Sequence, residues 1–152
     1  MHKTARTAKA VMDNFHDGLS SYDYTCIMSC WNFPAEVVMS NQKLVIQSPR
    51  ELRNALRGVH GFYATEGVAK VIGETDLVHQ TSDEEALCLS KFRAFNAQGA
   101  LLAQWNTSYL LLNCPQGWRI TKANISEQIA TWKFSESAAI DNYATALSSS
   151  LS

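Results

Sequence analysis

Four long segments that alternate apolar and polar residues fill the second half of the chain: "VAKVIGETDLVHQ", "EALCLSKFRAFN", "ALLAQWNTSYLLLN" and "GWRITKANI". Only "TSDE", "AQG" and "CPQ" separate them, turn-rich stretches short enough to close antiparallel hairpins. The pattern predicts a four-strand meander, with "YLLLNCPQGWRITKANI" (109–125) as its last hairpin. An amphipathic sheet of this kind needs a second layer over its apolar face, and the first half of the chain is the place to look for it.

That half reads as helices with one short strand pair between them. Ala8, Val11, Met12, Phe15 and Leu19 recur at spacings of three and four and stack on one face of a helix from Ala5 to Leu19. Gly18 and Ser20-Ser21 loosen its end, and Asp23 caps a second, shorter helix running through Tyr24, Ile27, Met28 and Trp31, with Pro34 as its stop. "AEVVMS" and "KLVIQS" form a β pair about Asn41-Gln42. In "SPRELRNALRGV", Ser48, Pro49 and Glu51 make a capping box, followed by the stripe Leu52, Ala55, Leu56 and Val59 and an end at Gly58 or Gly61. Ile140, Tyr143, Ala144, Leu147 and Leu151 predict a further amphipathic helix within 129–151, ending in a Ser-rich frayed tail. The division expected is one α+β domain over 1–126, with a helical extension over 127–152. A chain of 152 residues buries about 68–70% of its unfolded surface, enough for one core without a disulfide or metal staple.

Composition removes several classes of function. A formal net charge of −1 offers no basic excess for a run of phosphates, so no nucleic-acid partner is expected. The longest apolar runs, such as "YLLL", fall far short of the ~20 residues that span a bilayer, so no membrane segment is expected. "MHKTARTAKAVMDNF" carries Lys3, Arg6 and Lys9, and polar residues interrupt it before an apolar signal core forms; the expectation is a cytoplasmic protein. Cys26, Cys30, Cys88 and Cys114 form no CxxC pair, and they read as reduced, small, buried hydrophobes, although Cys26 and Cys30 share a helical face. The histidines His2, His16, His60 and His79 form no HExxH or HxH cluster, so no metal is expected. GxSxG, GxGxxG and GxxxxGK are absent too, and no cofactor or nucleotide is expected.

The order helix, short capped helix, β pair, capped helix, meander, carried by "FHDGLSSYDYTCIMSCWNFPAEVV", "SPRELRNAL" and "GALLAQWNTSYLLLNCPQGWRITKANI", resembles the nuclear transport factor 2-like superfamily, in particular its polyketide cyclase and ketosteroid isomerase-like (SnoaL-like) branch. The resemblance covers residues 8 to 126. It implies a cystatin-like cone: a curved antiparallel sheet wrapped around the N-terminal helices with an apolar cavity at its open end, plus a C-terminal helix. It also implies a homodimer. The scaffold hosts isomerases, dehydratases, cyclases, hydrolases and noncatalytic binding proteins, so it does not name a reaction.

Carried over residue by residue, the isomerase chemistry of that branch is missing. Its oxyanion-stabilising tyrosine falls on Phe15, its general-base aspartate on Met39 or Ser40, and its protonated carboxylic acid near Thr107 or Ser108; none of these can play the part. Steroid isomerisation by that mechanism is not expected.

Other groups remain as candidates. His60, placed just after the capped helix, is the histidine best suited to general acid–base work; the competing reading is a surface histidine at a helix end. Asp76 and His79, three apart on a strand, face opposite sides and pair only across a bulge. Arg93 shares a strand face with Leu89, Lys91 and Phe95 and would clamp a carboxylate if that face met the cavity mouth; otherwise it lies on the solvated or dimer-facing side. Glu36 is expected at the cone's edge.

Trp105, Thr107 and Tyr109 point one way along their strand and Gln104, Asn106 and Ser108 the other; the aromatic face is assigned to the cavity. The reading is a homodimeric small-molecule-binding protein whose pocket is lined by Phe15, Trp31, Phe33, His60, Tyr63, Arg93, Trp105 and Tyr109 and takes a hydrophobic or aromatic ligand. Any turnover would be cofactor-independent proton transfer of the isomerase, cyclase or dehydratase type, with the catalytic residue unknown beyond His60. The rival is a noncatalytic dimerisation or protein-binding module that uses the outer sheet face and the helix after Ser135.

Overall fold

Backbone pairing in the computed structural model of the chain, which describes residues 7–39 and 42–125, follows the meander read from the sequence. The elements are α1 (Ala8–Ser21), α2 (Tyr24–Ser29), β1 (Trp31–Met39), β2 (Gln42–Ile46), α3 (Pro49–Thr65), β3 (Lys70–Gln80), β4 (Glu85–Phe95), β5 (Leu101–Cys114) and β6 (Gly117–Asn124). They form one six-stranded sheet in the order β2-β1-β6-β5-β4-β3. Four of its five pairings are antiparallel; β1 runs parallel to β6, so the expected antiparallel sheet is in fact mixed. The helix expected within 129–151 and the extension over 127–152 lie outside the described residues.

The sheet is curved and unclosed, and its strands show where the bending enters. Register shifts interrupt β1 between Trp31 and Glu36, β3 at Asp76, β5 at Leu102 opposite Ala94 and Phe95, and β6 at Thr121 opposite Leu110 and Leu111. Each extra residue bends its strand and steepens the local twist. The apolar side of the curve is covered by α1, whose Val11, Met12 and Phe15 are buried, and by α3, whose Leu52, Ala55, Val59, Phe62 and Tyr63 are buried.

The capping chemistry is satisfied as read. Ser48 Oγ accepts from the Glu51 amide at 3.3 Å, and Glu51 Oε1 accepts in return from the Gln47 amide at 2.8 Å. Asp23 Oδ1 accepts from the Cys26 amide at 3.1 Å and starts α2.

Three expectations are corrected. Trp31 does not close α2; it opens β1, because the chain pairs there with β6 (Trp31 opposite Ile120) and the Cys30 carbonyl accepts from the Ile120 amide at 2.7 Å. Tertiary pairing overrides the helical spacing of Tyr24, Ile27, Met28 and Trp31. Neither Gly58 nor Gly61 ends α3, which continues to Thr65 because Phe62 and Tyr63 bury another turn; that apolar area, at roughly 1.5–3 kcal/mol per large side chain, outweighs about 1 kcal/mol of helix propensity per glycine. The chain turns at Gly67, whose φ of +80° suits a residue without Cβ. His60 consequently lies inside α3 rather than after it. Among the described residues no helix is long and apolar enough to cross a membrane.

Candidate ligand-binding site

Strand alternation decides which side chains enter the cone. On β5, Trp105, Thr107 and Tyr109 are buried while Gln104 and Asn106 are exposed, as the period-two reading requires. Register carries this inner face across the sheet: Trp105 stands opposite Phe92, and Tyr109 opposite Ala123, which in turn stands opposite Val37. Phe15 from α1 drops onto this row, meeting Tyr109 edge-on with ring centres 5.4 Å apart and Trp31 at 5.8 Å. Phe92 stacks on Trp105 at 5.6 Å with planes 21° apart.

Between this aromatic wall and α3 lies a cavity of about 100 Å³. Phe15, Trp31, His60, Tyr63, Trp105 and Tyr109 all line it, together with Leu19, Tyr22, Leu52, Val59, Val71, Phe92 and Thr107 among others. No Asp, Glu, Lys or Arg among the described residues does.

Two of the residues expected in the pocket are not there. Arg93 lies between buried Phe92 and Ala94 and therefore points to the opposite side of the sheet, where its guanidinium pairs with Glu74 at 3.3 Å. Phe33 falls in the irregular stretch of β1, where Trp31 is opposite Ile120 but Glu36 is already opposite Lys122. With five steps on one strand set against two on the other, alternation from Trp31 does not carry to Phe33, which packs half-buried against the core. Glu36 lies near Lys43 at 3.7 Å. A bulge does occur at Asp76, yet Asp76 and His79 are both exposed.

Of the positions carried over from isomerase chemistry, Phe15 and Thr107 line the cavity, Met39 is buried at the end of β1, Ser108 lies on the other face of β5, and Ser40 is outside the described residues.

The polar chemistry of the cavity gathers at His60. The Tyr24 hydroxyl lies 2.7 Å from His60 Nδ1, and the Tyr22 ring lies over the imidazole with centroids 4.1 Å apart. Tyr22 reaches that position from the left-handed region, with φ of 58°, where it terminates α1. Burial pushes the His60 pKa below its usual value, so the ring is neutral at pH 7. Burial likewise raises the Tyr24 phenol, against the lowering effect of Arg57. Sequence spacing did not single out Tyr22 or Tyr24 as site residues, because their meeting with His60 is a contact between helices remote in sequence.

A second histidine, fully buried, sits against Phe92 of the aromatic wall. His16 Nε2 is 2.8 Å from Ser90 Oγ, and Nδ1 has no partner among the described residues. Burial pushes its pKa down to about 4, against the raising effect of Asp13, Asp17 and Glu74. Burial also pushes the Cys88 thiol up to about 11, which leaves it protonated and unreactive.

Comparison with known proteins agrees with this geometry. A family model described as "NTF2-like protein (DUF6841)" matches residues 5–128. Among solved structures, a ketosteroid isomerase-like protein from Erwinia carotovora atroseptica superposes with a TM-score of 0.60 at 18% identity, covering 82% of this chain and 95% of its own. A protein of unknown function from Mycobacterium tuberculosis gives 0.62 at 15% identity, with 92% and 91% covered. A cystatin-like protein of unknown function from Nostoc punctiforme gives 0.58 at 12% identity, with 75% and 83% covered. No curated protein matches in sequence. At these identities the likeness shows the fold alone.

Proposed function

The chain belongs to the NTF2-like family DUF6841, and from that premise we propose that it binds a compact, neutral, largely apolar or aromatic small molecule inside the cone. One observation carries the reading: the cavity is walled by aromatic rings and contains no charged side chain among the described residues. A charged ligand would lose its hydration there and gain no counter-charge. Size points the same way. An apolar cavity of about 150 Å³ is known to admit benzene, so 100 Å³ suits a ring of similar bulk with part of the ligand reaching the rim.

The chemistry supports binding more strongly than turnover. Among the described residues no carboxylate lines the cavity and His60 is its one imidazole, so catalysis would rest on proton transfer through that ring without a cofactor. Toluene tests the binding reading. Under the proposal it raises the melting temperature in a concentration-dependent, saturable way, and Ala123→Leu, which fills the cavity floor, abolishes the rise. An unchanged melting temperature in both proteins at toluene saturation would refute it.

The outer sheet face favours a second element of the proposal, a homodimer. Leu77 and Leu87 are 57% and 47% exposed there, Leu77 opposite Leu89 and Leu87 opposite Leu110. Sedimentation of wild type and Leu87→Asp should show a dimer and a monomer, respectively. The same face is what the rival, a noncatalytic interaction module, would use.

A further inference from the structure

Access to the cavity falls to few residues. Of the side chains that line it, all are buried except Leu19 and Tyr22 at the end of α1, Leu56 and His60 one turn apart on α3, and Ile125 just past β6. Tyr22 alone is exposed, at 46%; the other four are partly buried. Its ring reaches from the end of α1 to α3 and lies on the His60 imidazole, with centroids 4.1 Å and planes 33° apart.

The backbone beneath this ring is held. The Tyr22 amide donates to the Gly18 and Leu19 carbonyls, the Asp23 amide donates to the Gly18 carbonyl at 2.9 Å, and Asp23 in turn caps α2. The side chain is freer: its hydroxyl makes no hydrogen bond among the described residues, and its ring meets His60 alone there. An aromatic contact of this kind is worth about a factor of 2 to 10 in an equilibrium, and exposed side chains change rotamer within nanoseconds. The buried rings lack that freedom, since Phe15 is wedged against Tyr109 and Trp31, and Phe92 stacks on Trp105.

Room is short as well. A cavity of about 100 Å³ falls below the roughly 150 Å³ that admits benzene, so an entering ring needs a wall that yields. We infer that the mouth lies between the end of α1 and α3 and that the Tyr22 ring is its gate, swinging off His60 to admit the ligand and adding the space it leaves. The inference rests on the cavity being a ligand site and deepens that reading by naming the residue that sets access and the bulk admitted. Such a gate slows association to the fraction of time it stands open. A closed-to-open ratio of about 2 to 10 leaves it open roughly a tenth to a third of the time.

Association and dissociation rates of toluene, taken from NMR line shapes through a titration of the whole protein, test this in wild type, Tyr22→Gly and Ile125→Ala. Glycine suits the left-handed backbone at position 22, where φ is 58°, so the first variant keeps the turn that ends α1. The inference expects association with Tyr22→Gly about 3- to 10-fold faster than with wild type, whatever the change in affinity, and faster than with Ile125→Ala. Faster dissociation with association unchanged would make Tyr22 a fixed wall, and a rise confined to Ile125→Ala would put the mouth beside the sheet. Either result would overturn the inference and leave the pocket reading standing. Toluene binding to none of the three proteins would overturn the pocket reading and the inference together.

Discussion

The hydroxyl of Tyr24 meets Nδ1 of His60 at 2.7 Å across 36 positions of sequence, joining the six-residue helix α2 to the seventeen-residue helix α3. Tyr24→Phe keeps the ring and deletes the bond. The expected result is a loss of about 1 kcal/mol in urea unfolding and nitrogen shifts that report a mixed His60 tautomer. A variant whose His60 shifts match those of wild type would show that the hydroxyl does not set the tautomer.

His16 gives stability a definite pH dependence. Its folded pKa is about 4, whereas the unfolded chain titrates near the ordinary value of about 6.5. Between those values the unfolded chain holds a proton that the folded one does not, so stability rises with pH through the window and is lost as pH falls through it. The full effect is ~3 kcal/mol. Urea unfolding at pH 7 and pH 4.5 should show most of that loss in wild type and much less of it in His16→Gln.

Gly73 stands opposite Phe92 on β4, and a Cβ there would lie 2.6 Å from the Phe92 ring and 3.0 Å from His16 Cδ2. Phe92 is held by its stack on Trp105, so it has little freedom to yield. Gly73→Ala is expected to cost roughly 1–3 kcal/mol by overpacking and to shrink the cavity that Phe92 walls. Thermal melts check the first effect and toluene titration the second.

Ser48→Ala removes the acceptor for the Glu51 amide at the start of α3. The expected cost is about 1 kcal/mol, read by urea unfolding. Ser48→Asp, which keeps an acceptor there, should recover most of it.

What the sequence made legible was local or periodic. The capping residues Ser48, Glu51 and Asp23 act within four positions of themselves, and the period-two alternation of β5 put Trp105 and Tyr109 on one face, which its aromatic rings assigned to the inside of the cone and which is buried. What it hid depended on partners remote in the chain. Trp31 has helical spacing to Ile27 and Met28, and only its pairing with Ile120 makes it a strand residue. Phe33 was expected in the pocket with no strand assigned to it, and Arg93 was placed on a face by alternation alone. Phe33 lies in the irregular stretch of β1, and Arg93 failed because alternation sorts a strand into two faces without saying which is the inner one. No spacing rule predicts that Tyr22, Tyr24 and His60 converge, since their contacts are set by how α1, α2 and α3 meet.

The central claim, that the cone holds a small neutral ligand, is tested most directly by a crystal of the protein soaked in iodobenzene. The account predicts an anomalous iodine peak inside the cone, between Phe15, Trp105 and Tyr109 on one side and α3 on the other. A cone whose side chains close on one another, with iodine bound only on the outer sheet face or nowhere, would contradict it.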